Sequence, residues 1–442
     1  MLTVLSNDDV RSLLFSLTRD DVREMQINLA QALKDYSSGH QYSEDSSEVE
    51  PRGSTISKRD GQTTMFLPVR AGSSHGYKVM TVADTPKNII NENKIRQQRP
   101  LSASASSMTL RTVPTHDSVR RPVDFTPSGA LLQLETAAQR SHSRPASPKP
   151  PAHPNKEVNT SSSLTLLDST GLPYGLINAQ EFTAFRTALN SLLIFYRRQK
   201  VSTITVFGAG RQAYWHIRLA LLLRYNDIKR VNIINRSFER ATDLLRTIYA
   251  ADHAEWRQHV KFSAFSRDFV EYDRLLRESV VKADVIFCCT RSLEPLFPAK
   301  ILTSSDGRRK GRYISAIGSN LPTAAELDPE LLANIARPNV HHKNLPHGSV
   351  IVVDSLETSL QHSGEIVMAG LEPRQLVEVG ELLMVKDAIE KEANKPDKGL
   401  VEWIQKGNVV YKCMGLGLMD LVVGQDFIRL AREKKIGATA NF

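Results

Sequence analysis

The sequence predicts an α/β fold in which a doubly wound parallel sheet is joined to a smaller α+β unit. Three observations predict it. A β-branched, apolar run ends in a glycine turn and passes straight into a helical stretch at 202–225. Beyond that point, apolar strand-like runs keep alternating with helical ones, the pattern of a sheet covered on both faces. Ahead of it, the stretch 84–160 breaks the globular composition.

Each part follows from its residues. SNDDVRSLL (6–14) sets polar capping residues ahead of an apolar stripe, and DDVREMQINLAQALKDY (20–36) carries Val22, Met25, Ile27, Leu29 and Leu33 at broadly helical spacing. TTMFLPV (63–69) and YKVMTVA (77–83) read as strands. Between 84 and 160 stand ten of the 21 prolines and nine serines, with Phe125 the one aromatic residue. Such a segment cannot bury enough apolar surface to offset its ordering entropy, so a long disordered insertion is expected, interrupted at ALLQLETAAQ (130–139). LTLLDSTGLPYGLIN (164–178) reads as two strands around a Thr-Gly turn, and EFTAFRTALNSLLIFYR (181–197) as a helix. STITVFGAG (202–210), RQAYWHIRLALLLRY (211–225) and RVNIINRS (230–237) form strand, helix and strand. Further buried strands are expected within 260–265, 283–290, 312–319 and 349–355, and a long helix with a basic end at 415–435.

The 442 residues suit two domains with a sizeable core, and 41% apolar with 24% charged residues fits an ordinary globular protein. The net charge of +9 raises the question of a nucleic-acid or membrane partner. The insertion alone carries 11 basic and six acidic residues, so more than half of the excess lies outside the folded surface. No nucleic-acid or membrane partner is expected. No run reaches the roughly 18 apolar residues of a membrane helix, and Asp8 and Asp9 interrupt any signal-peptide core. Cys288, Cys289 and Cys413 form no paired framework, which points to a reducing, cytoplasmic setting.

The glycine turn carries the chemistry. Gly208-Ala209-Gly210-Arg211-Gln212-Ala213 matches GxGxxG/A between strand and helix, the fingerprint of a Rossmann-type dinucleotide site. Gly208 makes the tight turn, Gly210 opens the backbone to a pyrophosphate, and small Ala213 lets helix and sheet close together, while free N–H groups face the anion. At the end of the next strand stand Asn235, Arg236 and Ser237, with no carboxylate for a ribose 2′-hydroxyl. Arg236 can pair with a 2′-phosphate, which favours NADP(H) over NAD(H). The plainer alternative is a turn in which Ser237 caps the following helix.

Beyond this turn the chain resembles the ornithine cyclodeaminase/mu-crystallin family. The matching pieces, in order, are RGSTI around Arg52, GYKVMTV around Lys78, TAFRTAL around Arg186, TVFGAGRQA, ADVIFCCT (283–290), AIGSNLPTAAELDPELL (316–332), GEI (364–366), VGELL (379–383) and VYKCMGLGLMDL (410–421). The resemblance spans nearly the whole chain apart from the insertion. It implies a substrate-binding and dimerisation domain from 1–194 and 413–442, a Rossmann domain over 195–412, and a homodimer.

The resemblance further implies an oxidoreductase acting on amino acids or their imines with a nicotinamide cofactor. Arg52, Lys78 and Arg186 match its substrate-binding basic residues. A guanidinium can hold a substrate carboxylate bidentately, and a desolvated lysine near arginine charges can exchange a proton at the reacting nitrogen. Structural alternatives stand beside these: an interdomain salt bridge for Arg186 and a strand-edge solubility role for Lys78. Thr290 and Cys413 fall in segments that approach the cofactor in this family. Asn320 stands where the cyclodeaminases carry an Asp, and an amide cannot accept a proton or balance an ammonium as a carboxylate does. Reduction of a small cyclic imine, or oxidation of the matching amino acid, is therefore favoured over ornithine cyclisation; an NADPH-binding protein with little catalysis is the alternative of another class, against which retention of Arg52, Lys78 and Arg186 argues. No metal is expected: His341, His342 and His347 cluster without an acid or Cys at ligand spacing. Ser147-Pro148 and the proline-rich pieces around it read as a spacer.

Overall fold

The computed structural model describes residues 1–42, 54–57, 62–71, 74–83, 123–125, 161–250, 254–257, 259–319, 321–337, 350–391 and 398–441. Two sheets organise them. The first contains β1 (Leu2–Leu5), β2 (Ser54–Ser57), β3 (Gln62–Ala71), β4 (Ser74–Ala83), β6 (Ser161–Leu167), β7 (Pro173–Asn178) and β16 (Ala438–Ala440), in the order β16-β1-β7-β6-β4-β3-β2. Only β1 and β7 run parallel; the other pairs are antiparallel. Both ends of the chain thus meet in one sheet, because β16 pairs with β1.

The second sheet contains β5 (Val123–Phe125), β8 (Thr203–Phe207), β9 (Arg230–Ile234), β10 (Lys261–Phe265), β11 (Val285–Cys288), β12 (Tyr313–Ala316), β13 (Ile351–Val353), β14 (Leu376–Glu378) and β15 (Val409–Lys412). Its order is β14-β13-β15-β12-β11-β8-β9-β10-β5, parallel throughout except for β5. This is the doubly wound sheet the sequence predicts, with β15 slotted between β12 and β13. The insertion leaves and returns at one place, since Thr81 of β4 pairs with Ser161 of β6. Three of its residues, Val123–Phe125, lie antiparallel along β10 and cover that edge. The element expected at 130–139 and the remainder of the insertion fall outside the described residues, as do the three clustered histidines.

Local chemistry sets the helix starts. Ser6 and Asp9 cap each other's backbone N–H at the head of α1 (Asn7–Ser16), and Thr18 and Asp21 repeat the device before α2 (Arg19–Tyr42). Asn178 caps α3 (Ala179–Phe195) through Gln180 N–H at 3.1 Å. This helix is buried on nearly every side, polar Arg186, Thr187, Asn190 and Ser191 included, and packs against both sheets. Phe182 and Phe185 meet Phe427 of the C-terminal helix (Gly417–Lys434) at 5.0 and 5.5 Å between ring centroids. Phe185 also packs edge-on, at 5.6 Å, against Trp215 of α4 (Arg211–Arg224). Further along, Ser191 accepts from the Tyr313 hydroxyl at 2.5 Å and from Ser315 Oγ at 3.1 Å, tying α3 to β12.

His216 of α4 is fully buried against the Phe287 ring. Its Nδ1 bonds the Gln212 carbonyl at 2.7 Å, while Nε2 has no hydrogen-bond partner. Burial lowers its pKa from 6.5 to about 4, against the smaller opposing effect of that carbonyl. Between these values the unfolded chain takes up a proton that the folded chain refuses. Stability attributable to His216 is therefore full above pH 6.5 and falls as pH drops toward 4, by up to roughly 3 kcal/mol. A His216→Leu variant should lose less Tm over that range than the parent; an equal loss, followed by thermal denaturation from pH 7 to 4, contradicts the assignment.

Candidate active site

The turn after β8 has the shape of a phosphate cradle. Gly208 adopts φ +108°, and its N–H reaches the Ile234 carbonyl at 2.9 Å. A Cβ there would run into the Cys289 carbonyl, so the position admits only glycine. Gly210 is the N-cap of α4 and offers no side-chain cap, and no atom lies within 4 Å of where its Cβ would stand. The first N–H groups of α4 are thus approachable, beside half-buried Ala209 and above fully buried Ala213. The buried side-chain oxygen of Gln212 has no partner. Arg211 turns to α3, where Glu181 accepts from it at 3.2 Å and from Trp215 Nε1 at 2.9 Å. These residues fit a dinucleotide pyrophosphate.

At the end of β9, Asn235 donates to the Ser237 carbonyl at 2.8 Å. Ser237 Oγ accepts from Arg240 N–H at 3.3 Å and donates to Glu239, so it caps α5 (Phe238–Ala250) as the plainer reading had it. Arg236 is exposed between them.

Two of the three substrate candidates, Lys78 and Arg186, converge. Lys78, in the interior of the first sheet, is only 4% exposed, and Arg186, on α3, only 6%. Both turn to one carboxylate, Asp420 of the C-terminal helix. Asp420 Oδ1 accepts from Lys78 Nζ at 2.9 Å and from Arg186 Nε at 3.1 Å, and Oδ2 accepts from Arg186 Nη2 at 3.3 Å. Lys78 Nζ also donates to Thr183 Oγ1 at 2.9 Å. Neither structural alternative describes these residues: Lys78 is not at a strand edge, and the Arg186 partner lies in the same expected domain. The bidentate grip expected toward a substrate is already made, to Asp420, and the remaining Nη1 faces Met419 Sδ and Gly415.

Electrostatics follow from this sharing. Burial lowers the Lys78 pKa; Asp420 partly offsets it, and Arg186 lowers it again. Burial would raise Asp420, but Arg186 and Lys78 outweigh it and hold the carboxyl below its ordinary value. Burial opposes the Arg186 charge, and Asp420, with Cys413 and Asp354, more than compensates.

The segment joining β15 to the C-terminal helix closes over this group. Asp354, at the end of β13, accepts from Met414 N–H at 2.9 Å, Gly415 N–H at 2.6 Å and Cys413 Sγ at 3.3 Å. Burial and Asp354 push the Cys413 thiol up, so it serves as a neutral donor beneath the turn. Lys412, just before it, is buried with Glu365 at 3.1 Å, and its Nζ donates to Ser319 Oγ at 2.6 Å. Thr290, after β11, gives both its N–H and its hydroxyl to Glu326. Arg52 and Asn320 lie outside the described residues. Asp420, Asp354, Glu365 and Glu326 are the residues that sequence reasoning missed. Asp420 had a signal, as a lone acid between Met419 and Leu421 on an otherwise apolar stretch.

Among the described residues no helix is long and apolar enough to cross a membrane, and no three His, Cys, Asp or Glu are grouped to hold a metal ion. A Delta(1)-pyrroline-2-carboxylate reductase of Bacillus cereus is 23% identical over 371 residues, covering 81% of this chain and 98% of that one. The ketimine reductase mu-crystallin of Rattus norvegicus is 25% identical over 277 residues, covering 62% of this chain and 71% of that one. Among solved structures, Thermococcus litoralis Delta(1)-pyrroline-2-carboxylate reductase, in complex with NADH and L-proline, shares the fold with a TM-score of 0.58 at 16% identity, covering 99% of this chain and 100% of that one. Residues 149–388, more than half of the chain, match the ornithine cyclodeaminase/mu-crystallin family profile, and the chain belongs to that family.

Proposed function

We propose that this chain is an NAD(P)H-dependent oxidoreductase that reduces a small, carboxylate-bearing cyclic imine, or oxidises the matching amino acid, with NADP(H) preferred. The observation that carries the reading is the Lys78–Asp420–Arg186 cluster, with two buried cations on one carboxylate, set where the last Rossmann strand hands over to the C-terminal helix. Relatives named as reductases of pyrroline-2-carboxylate and of ketimines support it. Assembly as a homodimer rests on the family resemblance, and a cytoplasmic setting on three free cysteines, two of them buried.

In this reading the N–H groups of 209–212 hold the pyrophosphate and Arg236 meets the 2′-phosphate. When bound, the dihydronicotinamide supplies the hydride that adds to the C=N carbon. Arg186 attracts the substrate carboxylate through its Nη1 side, while Asp420 fixes the other edge of the guanidinium. Arg52 joins it on the resemblance alone. Lys78, its pKa lowered, hydrogen-bonds the imine nitrogen and keeps it protonated, so that hydride addition leaves a neutral amine. Asn320 lacks the proton-accepting capacity of the cyclodeaminase Asp, which disfavours cyclisation of ornithine.

Oxidation of NADPH should appear with at least one member of a panel of cyclic ketimines, or of α-keto acids offered with amines. Silence across the panel, or ammonia release from L-ornithine with catalytic NAD, contradicts the reading. Lys78→Ala should lower kcat by about 10²–10⁴ while cofactor affinity is kept, and unchanged turnover removes Lys78 from the mechanism. Arg236→Ala should raise KM for NADPH about tenfold and leave KM for NADH within twofold. Asp420→Asn strands two buried cations, and urea titration should show a loss of about 3–5 kcal/mol; a loss under 1 kcal/mol would mean that the pair is hydrated.

A further inference from the structure

Three loops of the Rossmann sheet meet at Cys289–Thr290. The turn after β8 touches it at Gly208. The loop after β12 touches it at Gly318, where a Cβ would collide with the Thr290 carbonyl and stand 2.8 Å from Glu326 Oε1. What fastens the second contact is one carboxylate. Glu326 Oε1 accepts from Thr290 N–H at 2.6 Å and Thr290 Oγ1 at 2.8 Å; Oε2 accepts from Ile317 N–H at 3.0 Å and Gly318 N–H at 2.6 Å. Glu326 is fully buried, and its own carbonyl accepts from Leu296 N–H at 2.9 Å. Four donors on two oxygens leave the ionised form satisfied with no cation in direct contact.

We propose that Glu326 is a positioning residue for the nicotinamide half of the cofactor, clamping the loops after β11 and β12 into the shape that receives it. This rests on the NAD(P)H reading above. In doubly wound sheets the ligand crevice lies outside the carboxyl ends of the strands, where these two loops sit. The loop after β12 is also tied at Ser319, to Glu365 and Lys412, and Ala299 N–H, where the loop after β11 ends, bonds Asp328; at Thr290 itself the junction is made by Glu326. Ile317 N–H has a second, longer bond to the Cys288 carbonyl, while Thr290 spends its N–H and hydroxyl on Glu326 alone.

The clamp depends on charge. Protonating Glu326 turns one acceptor oxygen into a donor facing N–H groups, which breaks at least one of the four bonds. The titratable groups around it are Lys412 at the end of β15, with Glu365 as its partner, and the thiols of Cys288 and Cys289, both pushed up chiefly by burial. Burial raises the Glu326 carboxyl to about 7, against Lys412 and the four donors, which favour the charged form. The clamp is therefore half-populated near pH 7, approaches completion as pH rises above it and loosens as pH falls.

The test is NAD+ binding to the full chain at pH 6 and pH 8, because NAD+ has no group of its own titrating in that range. The parent chain should bind about fivefold or more weakly at pH 6. Glu326→Gln puts an NH2 against two backbone donors, and should bind about tenfold more weakly at pH 8 and show no step with pH. In turnover it should raise KM for the cofactor and leave kcat within about threefold, and Glu326→Asp should restore part of the loss. Parent-like binding in E326Q, or a pH step that persists there, overturns the proposal. Should E326Q fail to fold, Thr290→Val decides: about two- to threefold weaker NAD+ binding supports the clamp, and unchanged binding overturns it. If the parent chain binds neither NAD+ nor NADP+ at either pH, the nucleotide reading falls first, and the Glu326 role with it.

Discussion

One carboxylate organises the candidate substrate site of this protein. Lys78 comes from the first sheet and Arg186 from the helix between the sheets, and both would be prohibitively costly to bury alone. Asp420 makes their burial tolerable, and so ties the sheet, the central helix and the C-terminal helix to a single point. The compensation is incomplete: two cations face one anion, and the excess is positive. A substrate carboxylate entering beside Arg186 Nη1 would balance the cluster without having to create it. Burial first, and then the Arg186 charge, lowers the Lys78 pKa while Arg186 stays charged, since the amine can shed its proton and the guanidinium cannot.

The backbone around this point is arranged to hold it still. The central helix is buried on nearly every side because it has neighbours on both: its phenylalanines meet the C-terminal helix, and Trp215 and Tyr313 meet it from the Rossmann side. The last Rossmann strand does not add at the edge but enters between two others, β12 and β13. That placement delivers Cys413 and Gly415 to the side of Arg186, where Asp354 gathers their N–H and thiol groups. The candidate substrate site is therefore a product of the sheet order rather than of any one motif.

This explains what was legible in the sequence and what was not. The glycine turn declared itself because the constraint is local: Gly208 needs a positive φ and a missing Cβ within one turn. Lys78 and Arg186 stood out through their flanking residues. Asp420 lies 342 and 234 positions away from them, and although its apolar neighbours hint at burial, nothing local says which cations it meets. Glu326 and Asp354 were hidden for the same reason, since both serve backbone N–H groups that any residue would offer. Ser237 shows the opposite limit: its neighbours permitted both a phosphate contact and a cap, and it caps. The insertion read as unstructured by composition, yet three residues of it pair with an exposed strand edge, where backbone bonding needs no hydrophobic payload.

Two buried carboxylates, Asp420 and Glu326, then show opposite acid–base character. Asp420 is held below its ordinary pKa by two cations, whereas Glu326, buried to the same degree but offered only neutral donors at contact distance, is raised to about 7. The difference lies in the partners, not in the burial. At the substrate end, a group that changed charge near neutrality would alternately attract and repel the anion it helps to bind, so strong pairing keeps the charge constant. At the cofactor end the acid touches backbone rather than ligand, and a change in its charge alters the shape of two loops instead of the sign of a pocket. On the proposed reading, constant charge at one end and conditional geometry at the other would let a single site keep its affinity for a small anion while its grip on a dinucleotide responds to pH.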